Sequence, residues 1–135
     1  MRFAAALLLV SLPATVQAAA PITGKWTTDD GKAIVTIQHC GSALCGRVSR
    51  LLKVTPGVPK TDVRNPDPAQ RSRPMLGLPV LTGFTDAGSD WRGKIYNPEE
   101  GKTYKSIVSR NSDGTLNVKG CISIFCRTLI WRPAV

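Results

Sequence analysis

The chain has 135 residues, with 18 Lys and Arg against 9 Asp and Glu, a formal net charge of +9 and a hydrophobic share of 42%. That length holds one domain with a modest core and is too short for two. No apolar stretch approaches the roughly 20 residues of a membrane helix, and the basic balance favours anionic partners.

In chain order, residues 1–18 read as a secretory leader. Arg2 gives a positive start, Phe3 to Leu12 an apolar run, Pro13 a helix break, and Val16 and Ala18 small residues before a cut. A cut after Ala18 leaves a single domain, 19–135, without Arg2 and with a net charge of +8. No cysteine lies near that cut to carry a lipid. Turn chemistry then recurs at Asp29-Asp30-Gly31, Asp86-Ala87-Gly88, 97–101 and Ser112-Asp113-Gly114. Between these turns lie runs of strand composition: 24–27, 33–39, 44–52, 78–85, 91–96, 103–110, 115–119 and 126–132. No segment carries a sustained helical period. About eight short strands with regular turns predict an all-β antiparallel meander, a small sandwich or an up-and-down barrel, and the barrel is favoured because closure leaves no open edge. In 103–110 one face offers Tyr104, Ser106 and Val108 and the other Lys105, Ile107 and Ser109, so part of the interior is expected to be polar.

The four cysteines form two like-spaced pairs, Cys40/Cys45 and Cys121/Cys126, with four residues inside each. Three connectivities exist and spacing does not choose among them, although local pairing suits a bridge across a hairpin. A zinc site or a redox dithiol fits an exported chain with one histidine less well. The segment 53–77 breaks the strand rhythm with five prolines and predicts a long ordered loop. Within it, Asp62, Asn65 and Asp67 are expected to structure the loop, with the two carboxylates pairing Arg71 and Arg73. Left free, those arginines would instead grip an anion.

Gly24-Lys25-Trp26 matches the Gly-x-Trp start of lipocalins and related small barrels. That resemblance implies a lipocalin-like barrel closed by Trp26 under a cation from the last strand, Arg132 first and Arg127 second. The match then widens. The 62–74 loop, Gly77-Leu78-Pro79, the run from Trp91 to Tyr104, and Gly120-Cys121 through Cys126-Arg127-Thr128 to Trp131 occur in the order seen in domain-of-unknown-function family 2147. The chain resembles that family from Gly24 to Arg132. The resemblance implies a small exported protein of Gram-negative bacteria, β-rich and periplasmic, with no established activity and no catalytic residue to carry over.

Catalysis finds little footing. Seven of the nine acidic residues fall in or beside turns and the other two in the proline loop, so a general acid and base would have to come from loops alone. His39 is the only histidine. Neither a triad nor a metal centre assembles readily, and no phosphate-binding glycine loop is present. The remaining enzymatic reading is a metal-independent isomerase or lyase. Binding is favoured: an anionic or amphipathic small molecule or lipid with its tail in the apolar barrel interior, and with Arg71, Arg73, Trp91, Lys94, Tyr104 and Arg127 as candidate contacts. The alternative is an envelope protein that uses a basic wall of strand cations, Arg47, Arg50, Arg92, Lys94, Lys105, Arg110, Lys119, Arg127 and Arg132, to meet an acidic component. No cofactor is called for, and nucleic acid fits neither the compartment nor the few aromatics.

Overall fold

A computed structural model describes residues 1, 3–14 and 17–135. Arg2 and Val16 of the expected leader lie outside the described residues. Eight strands follow in chain order: β1 (Gly24–Thr27), β2 (Ala33–Cys40), β3 (Ala43–Leu51), β4 (Pro79–Asp86), β5 (Trp91–Asn97), β6 (Lys102–Arg110), β7 (Leu116–Ile122) and β8 (Phe125–Pro133). Each pairs antiparallel with the next and β1 pairs with β8, closing an up-and-down barrel. No helix among the described residues is long and apolar enough to cross a membrane.

The alternation of the strands decides which way the wall faces. Successive side chains point to opposite sides of a sheet, so Val35 and Ile37 of β2 are buried while Thr36 donates its hydroxyl to Ser49 Oγ on the outside at 2.8 Å. On β6 the inner row is Tyr104, Ser106 and Val108, and on β7 it is Leu116, Val118 and Gly120. The interior is filled by large side chains, among them Trp26, Leu44, Leu81, Phe84 and Trp131. An eight-stranded barrel is narrow enough for side chains to occupy it. As the mixed pattern of 103–110 predicts, one inner position is polar: Ser106 is buried and its hydroxyl has no protein partner among the described residues. Gly93 is fixed by a close approach. A β-carbon there would lie 2.6 Å from the Thr82 carbonyl oxygen and 2.7 Å from the Phe84 ring.

The closing seam is short, with Trp26 opposite Pro133 and Thr27 opposite Arg132, extended by Ala134 N–H donating to Lys25 O at 2.9 Å. Trp26 is buried there, and the cation over its ring is Arg110 of β6, 5.7 Å from the centroid. This corrects the expected partners. Arg132 follows the buried Trp131 and therefore projects from the opposite face, while Arg127 lies at the far end of β8, opposite Gly120.

The barrel has two different ends. At one, the chain before β1 crosses the opening: Trp26 Nε1–H donates to Ile22 O and Trp91 Nε1–H to Ala20 O, each at 2.9 Å, and Arg110 donates to Pro21 O at 3.3 Å. At the other end lie the β5–β6 turn, the long loop and the tip of the β7–β8 hairpin. Both disulfides are local, Cys40–Cys45 and Cys121–Cys126, one at each end. Two such bridges suit an oxidising, extracytoplasmic compartment.

Candidate functional site

The proline loop is held by its own polar groups. Asp62, wholly buried, accepts from Tyr96 Oη–H at 2.6 Å, Asn65 Nδ2–H at 2.8 Å and Arg73 Nη2–H at 3.2 Å. Burial alone would raise the Asp62 carboxyl, but these three donors outweigh it and hold it below the usual carboxylate range. The same contact acts on its partner: burial, with Asp62 beside it, pushes the Tyr96 hydroxyl up to about 12. Of the ion pairs expected between the two carboxylates and the two guanidiniums, Asp62–Arg73 forms, while Asp67 and Arg71 form none among the described residues. Asp67 instead caps the short 3-10 turn Pro68–Gln70 by accepting from Ala69 N–H at 3.0 Å, and Arg71 Nε–H donates to Asn65 O at 2.8 Å. An aspartate at the N-cap satisfies an otherwise unpaired amide of the first turn, and this local contact takes the carboxylate in place of the guanidinium. Gly101 of the β5–β6 turn, at φ +69°, lets the Arg64 carbonyl seat directly against it and docks the loop on the barrel.

The candidate contacts are therefore distributed. Arg71 and Arg73 brace the loop. Trp91 lies at the opposite end, bonded to the N-terminal segment. Tyr104 and Arg127 share the inner face near the loop end, where Tyr104 Oη–H donates to Glu100 at 2.8 Å, a bond that raises the pKa of the hydroxyl. Lys94 stands on the outer face.

Lys94 belongs to a concentration of cations that also has a shaped surface. Thr82, Lys94, Lys105 and Cys121 are consecutive cross-strand partners from β4 to β7, so they form a single row on the outer wall. Arg92 and Ile107, paired with each other, form the next row. Ser123 and Ile124 of the hairpin tip border the same space, enclosing an open groove of about 650 Å³. Its floor is apolar, from Ile107 and the Cys121–Cys126 bridge, and its walls carry three cations. Arg92 is engaged by Asp90 at 3.0 Å, whereas Lys94 and Lys105 have no carboxylate partner among the described residues. Beyond the groove the tip exposes Ile122, Ile124 and Phe125, each more than two thirds open to solvent. A second, smaller pocket of about 230 Å³ lies on the outer wall by Lys25, Arg50 and the C-terminus. Among the described residues no cluster of three metal-ligating side chains occurs.

A closed eight-stranded up-and-down barrel with a Gly-x-Trp first strand and an aromatic-closed end defines the class as lipocalin-like. The same fold is found in a solved structure from the human pathogen Helicobacter pylori, a protein described as belonging to the lipocalin family, with 23% identity over 87% of this chain and 85% of that one and a TM-score of 0.74. No curated protein matches the chain. Within the class, the chain belongs to the family described as uncharacterized protein conserved in bacteria, DUF2147, whose model matches residues 24–132.

Proposed function

We propose that the protein is an exported, periplasmic binding protein for an anionic amphipathic small molecule or lipid, taken up in the groove on the outer wall. The observation that carries this reading is the pair of unpartnered ammonium groups, Lys94 and Lys105, standing side by side on an apolar floor. Two like charges in adjacent register positions repel one another, and an anion between them relieves that repulsion. Ile107, the disulfide and Ile124 offer contact to an acyl or other apolar portion. The filled interior directs the ligand to the outside of the barrel, although lipocalin-like folds of this size are able to hold ligands within.

Calorimetric titration with dodecyl phosphate and, separately, with dodecyl maltoside tests the reading. Binding of the phosphate alone, and its loss in the Lys94→Glu/Lys105→Glu variant, is the expected result. Equal binding of both amphiphiles, or undiminished binding by the variant, rejects it.

A second reading is favoured by the exposed Ile122, Ile124 and Phe125 tip. Apolar side chains at a hairpin end beside cations match the chemistry of an anionic membrane surface. Here the protein docks on the envelope without taking up a monomeric ligand. Flotation with phosphatidylglycerol vesicles that is lost on Ile124→Asp, combined with no heat from dodecyl phosphate, would select this reading.

A further inference from the structure

The boundary between buried and exposed chain falls at the residue where the leader is expected to be cut. Gln17 and Ala18 are exposed, and residues 3–14 have no regular element and are exposed throughout. Ala19 is 8% exposed, and Ile22 is fully enclosed in the core. Between them the chain is fastened at four points to four different strands: Ala19 to β4, Ala20 to β5, Pro21 to β6 and Ile22 to β1. A strap that spans the barrel mouth in this way belongs to the folded domain. What precedes it does not.

The first fastening is chemically distinct from the other three. Ala19 N lies 3.1 Å from both carboxylate oxygens of Asp86, and Asp86 Oδ1 also accepts from Gly88 N–H at 2.8 Å. In the uncut chain Ala19 N is an amide with one hydrogen to share between two acceptors. We infer that removal of the leader between Ala18 and Ala19 creates the proper partner for Asp86: the free α-ammonium of Ala19, which locks the strap across the barrel mouth. Hydrolysis of that bond adds water, with hydroxide going to the Ala18 carbonyl carbon and a proton to the Ala19 nitrogen. At neutral pH the products are a carboxylate on the released leader and an ammonium with three donors on the domain. The amide–carboxylate hydrogen bond becomes an ion pair in which donor and acceptor are both charged, which is stronger. The ion pair forms once the cut has freed the Ala19 nitrogen and the strap lies across the mouth.

The other charged groups on the elements around the strap do not compete for this role. Arg110 is turned to Pro21 O and the Trp26 ring, Asp90 is engaged by Arg92, and Lys25 extends from the exposed outer face of β1. Asp86 is thus the one carboxylate bonded to the Ala19 nitrogen.

The test uses the full-length gene expressed in a bacterial host, with the exported protein purified without refolding. Its intact mass should correspond to a chain beginning at Ala19; a different first residue overturns the inference. Reductive methylation of the α-amine with ¹³C-formaldehyde keeps the charge and gives an NMR signal that reports its titration. An α-amine ordinarily titrates at about 7.7–8.0. Beside Asp86 the midpoint should lie at least about one unit higher, and Asp86→Asn should return it to the ordinary range. An ordinary midpoint in the wild-type protein contradicts the ion pair, and that measurement stands even if Asp86→Asn fails to fold. Where the variant does fold, selective acetylation of the α-amine should lower the Tm of wild-type protein and leave that of Asp86→Asn unchanged. An equal effect in both overturns the inference.

Discussion

At the scale of the residue, the best-determined polar centre is Asp62 with its three donors. A hydrogen bond to a charged group contributes about 1.5–3 kcal/mol, so Tyr96→Phe should destabilise the barrel by that amount in urea titrations while leaving the fold intact. The pH dependence has a definite sign. Asp62 has a folded-state pKa held below the usual carboxylate range, so its contribution is complete above the unfolded value of about 3.9 and is lost as pH falls through the folded value. Acid unfolding should therefore be shifted to higher pH in Tyr96→Phe. Tyr96 behaves in the opposite sense. Its raised value keeps the hydroxyl bonded while an exposed tyrosine ionises near 10, and this contribution disappears as pH rises toward about 12. Absorbance of tyrosinate should show Tyr96 titrating near 12, and a normal titration would contradict the buried contact. With Arg73 left open between bracing the loop and gripping an anion, Asp62 and Asn65 were legible as loop-structuring residues because alternating charge, amide and proline in one segment suits a self-held loop. Tyr96 was not, since it lies 34 positions away and only barrel closure brings it to Asp62.

At the scale of the element, period-two alternation and turn glycines placed all eight strands to within a few residues, because turns fix where each strand must end. The pairing of Trp26 was misjudged for a reason of register. Seen in sequence, Arg132 adjoins the last tryptophan; in the sheet, a neighbour along a strand faces the other way. The β7–β8 hairpin is the element on which the groove depends. Its disulfide closes a six-residue ring, worth about 2 kcal/mol in the chain-entropy treatment. Replacing Cys121 and Cys126 by serine should lower stability by about that amount and weaken dodecyl phosphate binding, because Ser123 and Ile124 lose their fixed position. Retained affinity in the double variant would remove the hairpin from the site. On β5, Gly93→Ala forces a methyl against the Thr82 carbonyl and the Phe84 ring, and overpacking of this kind costs about 1–3 kcal/mol. Unchanged melting would show that the wall yields more readily than its contacts indicate.

At the scale of the whole molecule, closure rests on a seam of two residue pairs, so Trp26, the strap from Ala19 to Ile22 and Arg110 act together to seal one end. Trp26→Ala should cost about 3–5 kcal/mol and broaden the unfolding transition. The other end is stiffened by the loop, leaving the outer wall as the surface with room for a ligand. That division was only partly legible. Net charge announced anionic partners, and Arg92, Lys94 and Lys105 were three of nine strand cations with nothing to set them apart, because their assembly into one groove depends on cross-strand register that no linear pattern displays. The central claim is that this groove binds an anionic amphiphile. The most direct measurement is amide chemical-shift mapping of ¹⁵N-labelled protein titrated with dodecyl phosphate. Shifts concentrated at 92–94, 105–107 and 121–126, and abolished by Lys94→Glu/Lys105→Glu, are predicted. Shifts centred on the inner residues around Trp26, Leu81 and Phe84, or none at all, would contradict the account.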